Sequence, residues 1–249
     1  MDDDYLVELL FEACEAAGSA LEDLDDWGPT ERPGQYRLDL AADEAASSVL
    51  RRAGLSILSE ESGRSEGTVP LLAVLDPIDG STNAQRGVPF YSTSICVGDS
   101  GGPRVAAVVG HNPRRAYHAV RGAGAWRDGA RIAPSDCRVL SEAIVAVGAH
   151  LKVDLGCWQY RMLGCASLEL CFVADGALDA YLLSGGASLH PWDYAGGALI
   201  CAEAGAPVAE RFGRSLWDES AHPRSPVAAS TTKLLEDLVA VVGREGQRA

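Results

Sequence analysis

The stretch LLAVLDPIDGSTNAQ, residues 71–85, places an apolar run directly before two aspartates that stand three residues apart. The apolar run predicts a strand buried on both faces, and the Pro-Ile step between Asp76 and Asp79 predicts a bend. Asp-Pro and Asp-Gly are both turn dipeptides, so these residues alone are equally typical of an ordinary β-turn and of a site. The continuation through Gly80 and Ser81 favours a site, because free backbone N–H groups at the start of a short helical turn bind phosphate.

Two further acidic signals stand beside apolar elements. Glu60 and Glu61 follow LSILS, and Asp193 lies in HPWDYAGG. Loops at the carboxyl ends of strands carry ligand sites in α/β folds, so we expect these groups to meet Asp76 and Asp79 in one pocket. Crowded carboxylates repel one another unless they are neutralised, and an all-oxygen cluster suits Mg²⁺. Each signal also has a plain alternative: SEESG as a surface turn, and Asp193 as a helix cap.

Composition limits the classes of function. The chain has 249 residues, enough for one large domain or two packed halves, and a net charge of −14. That charge argues against nucleic acid or an anionic membrane as the main partner, but a bound cation would still admit an anionic small substrate. No apolar run reaches the roughly 20 residues of a membrane span, and the acidic start MDDDYLVELL lacks the basic region of a secretory signal. We therefore expect a cytoplasmic protein, with its seven cysteines reduced and mostly in the core rather than in a zinc site or disulfides.

Hydrophobic periodicity predicts a mixture of helices and strands. Hairpins with a strong Asp128-Gly129 turn are expected between 104 and 132. The other predicted helices are 5–24, 43–54, the first part of 167–183, 192–205 and 231–243, and the other strands lie in 55–63, 71–75, 88–98, 143–149, the end of 167–183 and 226–230. The mixture predicts a layered α/β sandwich in one compact unit. Its N-terminal half, 1–135, would carry Glu60 and the DPIDGS motif, and its C-terminal half, 136–249, the WD motif and the substrate-pocket walls.

Three motifs in order, SEESG, LDPIDGSTN and WDYAGGALICAEAG, resemble those of the inositol monophosphatase family. This group of magnesium-dependent, lithium-sensitive phosphatases includes fructose-1,6-bisphosphatases, 3′-phosphoadenosine phosphatases and histidinol-phosphate phosphatases. The resemblance covers most of the chain and implies a mixed α/β (α+β) fold, a layered αβαβα sandwich. It also implies two or three Mg²⁺ ions per site, with Mn²⁺ as a substitute and Li⁺ or Ca²⁺ as inhibitors. A homodimer is expected from the resemblance alone.

The resemblance implies roles residue by residue. The implied metal ligands are Glu60, Asp76, the carbonyl of Ile78, Asp79 and Asp193. Gly80 and Ser81 would bind phosphate, and the substrate-binding residues would be Asp79, Asp193, Gly164, Cys165 and Ala166. Glu60, Ser81 and an upstream aspartate would act on the attacking water. Asp43 is the preferred match for that aspartate and Asp39 its rival; the plain alternative for Asp43 is a helix N-cap.

The predicted activity is hydrolysis of a small phosphorylated alcohol to alcohol and phosphate, without a phosphoenzyme. Inositol-hydrolysing members carry a glutamate about seven residues before the motif aspartate, whereas no acid lies here between Asp179 and Asp193. Sugar, cyclitol, histidinol and nucleotide phosphates therefore all stay open as substrates. A nucleotide would want an aromatic shelf, for which Trp158 and Tyr160 are candidates. The alternative class is a non-catalytic homologue that binds metal or phosphate and works by association.

Overall fold

The computed structural model of the protein describes residues 1–151, 153–183 and 186–243. The helices are α1 (Asp3–Glu22), α2 (Arg37–Arg52), α3 (Ser81–Gln85), α4 (Ala166–Ala174), α5 (Pro191–Ala204) and α6 (Thr232–Gly243), with a 3₁₀ turn at Leu140–Glu142. The strands are β1 (Ser56–Ser59), β2 (Gly63–Ser65), β3 (Leu72–Asp79), β4 (Ser92–Asp99), β5 (Gly102–His111), β6 (Arg114–Val120), β7 (Gly124–Arg127), β8 (Ala130–Arg131), β9 (Ile144–Val147), β10 (Gln159–Arg161), β11 (Ala180–Leu182), β12 (Val208–Glu210) and β13 (Pro226–Ala229).

The strands form two mixed sheets. Sheet 1 has the order β2-β1-β3-β4-β5-β6-β7-β8, and its one parallel pair is β1 with β3. Sheet 2 has the order β10-β9-β11-β13-β12, with β9 parallel to both of its neighbours. The parallel pair of sheet 1 brings the carboxyl ends of β1 and β3 to the same edge, which places Glu60 close to the Asp76–Asp79 segment.

Sheet 1 is buried on both faces, and strand β5 shows why. Val105, Ala107 and Val109 point into the core beneath α1 and α2, while Ala106 and Val108 point into the core that α4 and α5 share. Successive side chains of a strand face opposite sides, so a continuous apolar strand needs a helical layer on each. Helices α4 and α5 also contact sheet 2, and α6 packs with sheet 2 in a third core. The layers thus run α-β-α-β-α, which confirms the predicted sandwich.

Two glycines allow α5 to sit close against both of its neighbours. A Cβ atom on Gly196 would lie 2.7 Å from the Ser94 hydroxyl of sheet 1, and one on Gly197 would lie 2.6 Å from Cβ of Leu170 on α4. Both distances are shorter than real Cβ contacts, so larger residues would push the helix outwards. The close approach fixes the first turn of α5, and therefore Asp193, against the end of sheet 1.

The prediction for the second helix was wrong at its start, which is Arg37 rather than residue 43. The Asp39 carboxylate accepts a hydrogen bond from the Tyr36 backbone N–H at 2.9 Å and caps the first turn. Asp43 lies one turn further in, so it is not an N-cap.

Three strands, β2, β10 and β12, were missed, because three residues are too short to show a period. The Asp128-Gly129 turn is confirmed: both residues have positive φ, 50° and 81°, as a tight hairpin requires.

All seven cysteines are free thiols, and five of them are buried: Cys14, Cys96, Cys165, Cys171 and Cys201. Cys137 and Cys157 are half-buried. Among the helices of the described residues, none combines the length and the apolar character that crossing a membrane requires.

Candidate active site

The site begins at a bulge near the end of β3. Asp76 and Asp79 pair with residues of β4, but the register shifts between them, so Pro77 and Ile78 stand outside the regular pairing. A bulge bends a strand and re-aims its side chains. Both aspartates are buried, with only 1% of Asp76 exposed.

Three carboxylates from three elements meet at this bend. Oxygen atoms of Glu60, Asp76 and Asp193 all lie within 4.8 Å of one another. Glu60 follows β1, Asp76 belongs to β3, and Asp193 lies in the first turn of α5. Oδ1 of Asp76 is buried and has no hydrogen-bond partner among the described residues. A buried oxygen without a partner and an all-oxygen donor set both fit a hard divalent cation such as Mg²⁺.

The electrostatics of the cluster point the same way. Burial is the main cause that raises the pKa of Asp76 and of Asp193 well above the ordinary value, and their neighbouring carboxylates raise both further. The same causes raise the pKa of Glu60 to about 7. A bound cation would reverse both effects, because it compensates the lost hydration and the repulsion.

Asp79 borders this cluster and is held by α4. Its Oδ2 accepts hydrogen bonds from the Ser167 backbone N–H at 2.6 Å and from the Cys165 thiol at 3.3 Å. Burial raises the pKa of Asp79, while these hydrogen bonds lower it. The charge of Asp79 in turn raises the pKa of Glu60 and of Asp193.

The structure places Asp39, and not the preferred candidate Asp43, beside Ser81. Asp43 is turned toward β1, where its Oδ1 accepts hydrogen bonds from Ser59 at 2.5 Å and from Ser47 at 3.4 Å. Burial raises the pKa of Asp39 to about 7, and a hydrogen bond with Ser81 opposes that rise. The two aspartates are one helical turn apart, and because α2 starts earlier than predicted, the first of them reaches the site.

Gly80 links the acidic bend to α3 and requires a glycine. Its φ is +85°, and a Cβ atom there would lie 3.0 Å from the Gly164 carbonyl oxygen and 3.1 Å from that of Phe90. The backbone of the DPIDGS motif therefore contacts the Gly164–Ala166 segment directly. The structure thus brings the residues predicted for phosphate binding next to those predicted for the substrate wall.

Sequence reasoning missed two residues that hold this wall. Nδ2 of Asn83 donates to the Leu163 carbonyl at 2.7 Å, and Oε1 of Glu169 accepts from the Leu163 N–H at 2.9 Å. Asn83 is part of the LDPIDGSTN motif, so it could have been assigned. A single charged residue within the apolar run SLELCFVA was the available signal for Glu169, which is 1% exposed.

The two residues just before α2, Gln35 and Tyr36, contact Glu61 and the LDPIDGSTN motif. Nε2 of Gln35 donates to the Glu61 carboxylate, and the hydroxyls of Tyr36 and Thr82 lie 3.2 Å apart. Glu61 thus accepts a hydrogen bond from Gln35, and it is not one of the three converging carboxylates.

The suggested aromatic shelf has no support in the described contacts. Trp158 is 62% exposed. The hydroxyl of Tyr160 is engaged locally, donating to Asp154 and accepting from the Leu155 N–H.

The protein is a five-layer α/β sandwich with an oxygen-only cluster that could hold a cation, between the end of β3 and the first turn of α5. The sequence profile of the inositol monophosphatase family matches residues 35–247. The chain belongs to this family. Membership supports a phosphatase, and the family generally uses divalent metal, which agrees with the acidic cluster.

Individual relatives agree with this assignment. A protein of Archaeoglobus fulgidus named fructose-1,6-bisphosphatase/inositol-1-monophosphatase is 34% identical over 212 residues, which cover 82% of each chain. A Pasteurella multocida protein named Nus factor SuhB is 30% identical and covers 81% of this chain and 79% of its own. The structure of an inositol monophosphatase from Anabaena (Nostoc) superposes with a TM-score of 0.81 at 23% identity, covering 97% of this chain and 96% of its own, and this likeness concerns the fold.

Proposed function

We propose that the protein is a Mg²⁺-dependent phosphomonoesterase that converts a small phosphorylated alcohol into the alcohol and inorganic phosphate. The observation that carries the proposal is the convergence of Glu60, Asp76 and Asp193. These three oxygen donors lie at the end of the strand that continues into Gly80 and Ser81. A cation site and a backbone suited to phosphate thus lie side by side, which is the arrangement that phosphate-ester hydrolysis requires.

The residues that would hold the cations are Glu60, Asp76, Asp79, Asp193 and the carbonyl of Ile78. When bound, such ions make water more acidic and stabilise the oxygen that leaves phosphorus. Hydrogen bonds from the Ser167 N–H to Asp79 and from the His190 N–H to Asp193 hold two of these carboxylates in place before a substrate arrives.

Asp39 and Ser81 would orient the attacking water. Ser81 has one hydroxyl hydrogen, so donating it to the Asp39 carboxylate would leave the oxygen free to accept a hydrogen bond from water and orient it. Asp39 itself is anchored by the Tyr36 N–H, which holds its second oxygen. We therefore propose Asp39 in the role first given to Asp43.

Gly80 and Ser81 would bind the phosphate. The positive φ of Gly80 turns the chain into the first residues of α3, and a helix start carries N–H groups without partners in the helix. Neutral donors of this kind bind a phosphate without arginine or lysine.

The wall around the leaving alcohol would be formed by Gly164, Cys165 and Ala166. All three are small, and burial raises the pKa of the Cys165 thiol well above its ordinary value, so that it stays neutral and does not act as a nucleophile. A neutral, compact wall favours a polyhydroxylated substrate such as a sugar or cyclitol phosphate, while histidinol and nucleotide phosphates stay as alternatives.

A second candidate is a role by association without catalysis, and the name Nus factor on the Pasteurella relative favours it. Every proposed metal-binding and phosphate-binding residue is present, which favours the enzyme. A homodimer, a cytoplasmic location and the absence of nucleic-acid partners stay predictions.

Phosphate release from sugar, cyclitol, histidinol and nucleotide monophosphates, with Mg²⁺ and with a chelator, tests the proposal. We expect Mg²⁺-dependent release from at least one ester. The matched control is Asp237→Asn, which removes a half-buried carboxylate that pairs with Lys233 on α6, outside the acidic cluster, and should leave the rate unchanged. No release from any ester, with Mg²⁺ still binding to the protein, would favour association instead.

A further inference from the structure

The bend between Asp76 and Asp79 is supported from behind by two side chains outside the three motifs. The hydroxyl of Thr93, on β4, donates to the carbonyl oxygen of Pro77 at 2.8 Å. Nε2 of His111, at the end of β5, lies 2.8 Å from the same hydroxyl oxygen. Thr93 is completely buried. A hydrogen-bonded chain therefore runs from β5 through β4 to the bend in β3.

The pairing of β3 with β4 explains why the bend needs this support. Asp76 and Asp79 pair with the residues on either side of Thr93, so Pro77 and Ile78 face Thr93 alone. Where two residues of one strand lie opposite a single residue of its neighbour, one backbone carbonyl is left out of the regular ladder of hydrogen bonds. A buried carbonyl of this kind requires another hydrogen-bond donor. The Thr93 side chain supplies the hydrogen bond that the backbone of β4 does not.

The number of available hydrogen atoms fixes which group donates in each of these two hydrogen bonds. A threonine hydroxyl has one hydrogen, and that of Thr93 goes to Pro77, so the oxygen must accept from His111. His111 therefore carries its hydrogen on Nε2. Burial lowers the pKa of His111 to about 4, with Glu15 opposing the shift and Arg114 adding to it, so the ring is neutral at neutral pH.

The ring of His111 is also held in place. Its centroid lies 5.9 Å from that of Tyr91, and a Cβ atom on Gly18 of α1 would lie 2.9 Å from Nδ1. The glycine in α1 therefore leaves the space that the imidazole occupies, and a larger residue would displace it. A fixed ring gives the Thr93 hydroxyl a single orientation.

We propose that Thr93 and His111 are a positioning pair for the cation site. His111 orients the Thr93 hydroxyl, and this hydroxyl fixes the Pro77–Ile78 peptide, which lies between the Asp76 side chain and the Ile78 carbonyl. The pair acts through the backbone, since neither side chain belongs to the carboxylate cluster. The inference rests on the proposed function in taking the ion to be Mg²⁺.

The test is calorimetric titration of Mg²⁺ into the metal-free full-length protein. Thr93→Val keeps the shape of the side chain and removes the hydroxyl, and we expect a loss of Mg²⁺ affinity of about 10- to 100-fold. Thr93→Ser keeps the hydroxyl and should restore most of the affinity. Ser94→Ala is the matched control, because this neighbouring buried hydroxyl has no hydrogen-bond partner in the described part of the chain.

A second variant tests whether the two residues act as a unit. His111→Leu should weaken Mg²⁺ binding, and the double variant with Thr93→Val should bind no worse than Thr93→Val alone. Additive losses, or wild-type affinity in a folded Thr93→Val protein, would overturn the proposal. If Thr93→Val does not fold, His111→Leu decides alone, and unchanged affinity overturns it. These outcomes are independent of phosphate release, so failure of the pair and failure of the proposed activity are separable.

Discussion

At the scale of single residues, Asp193 of α5 meets Glu60 and Asp76 in the acidic cluster, where we propose that it binds a cation. Asp193→Asn removes one charge from a group of mutually repelling carboxylates, so we expect the metal-free fold to keep or gain stability. Activity should fall by about 100-fold or more, because a direct ligand matters at least as much as the groups that orient ligands. Circular dichroism, thermal melting and phosphate release measure both effects. Unfolding of Asp193→Asn would identify Asp193 as a structural group instead.

The two aspartates of α2 give a second prediction. Asp39→Asn should lower kcat by about 10²- to 10⁴-fold, the usual contribution of a group that handles a proton in the reaction. Asp43→Asn should leave kcat within a few-fold and lower the free energy of unfolding by about 1–3 kcal/mol, because Ser59 loses a buried charged partner. Steady-state kinetics and denaturant unfolding of both variants check this pair. The reverse pattern would return the catalytic role to Asp43.

The protonation of the carboxylates gives a third prediction. Glu60 and Asp39 have pKa values raised to about 7 in the metal-free fold, against about 4 in an unfolded chain. The folded state therefore binds these protons more tightly, and their contribution to stability is complete below about pH 4 and is lost as the pH rises through about 7.

Mg²⁺ binds the ionised forms, so its stabilising effect should grow over the same interval. We expect the rise in Tm on adding Mg²⁺ to a chelator-treated sample to be larger at pH 8 than at pH 5.5. Thermal melts at both pH values measure it, and Asp193→Asn should reduce the difference. An equal rise in Tm at the two pH values would contradict the prediction.

At the scale of elements, the close packing of α5 makes Gly197 sensitive to a single methyl group. Gly197→Ala would put Cβ within 2.6 Å of Leu170, so we expect a loss of about 1–3 kcal/mol in the free energy of unfolding. Gly243→Ala is the control: nothing lies within 4 Å of the added atom, and stability should not fall. Chemical denaturation of both proteins compares them, and equal stability would show that α5 can move outwards without cost.

The elements also show what sequence patterns can and cannot predict. Helix α1 was predicted because burial of one face imposes a repeat on its residues, and the strand before Asp76 because burial of both faces makes its residues continuously apolar. The start of α2 was misplaced because its cap depends on the side chain of Asp39 reaching back to Tyr36, and that contact leaves no periodic signal. Short strands such as β10 exist because they pair with neighbours, which is a tertiary effect.

The same distinction applies to the site. Glu60, Asp76 and Asp193 stand out in the sequence because charged residues at the ends of apolar runs are unusual. Thr93 does not stand out, and the single charge of Glu169 within an apolar run does not reveal its role, since both roles depend on which backbone group the side chain meets after folding. The role of such supporting residues can be identified only from contacts in the folded structure.

At the scale of the whole molecule, the two sheets share one middle layer of helices. Sheet 1 is complete by Arg131 and sheet 2 begins at Ile144, yet α5 of the second part provides Asp193 to carboxylates of the first. The three carboxylates therefore meet only when sheet 1 and α5 are packed together.

The position of Asp193 along the chain has a consequence for the order of events during synthesis. Glu60 and Asp76 leave the ribosome long before the α5 segment does, and contacts between distant segments form late in folding. A nascent chain with sheet 1 alone would hold an incomplete set of ligands and bind Mg²⁺ weakly. The proposed phosphatase activity would thus arise only after α5 has been made, so translation products that end before Asp193 would lack it.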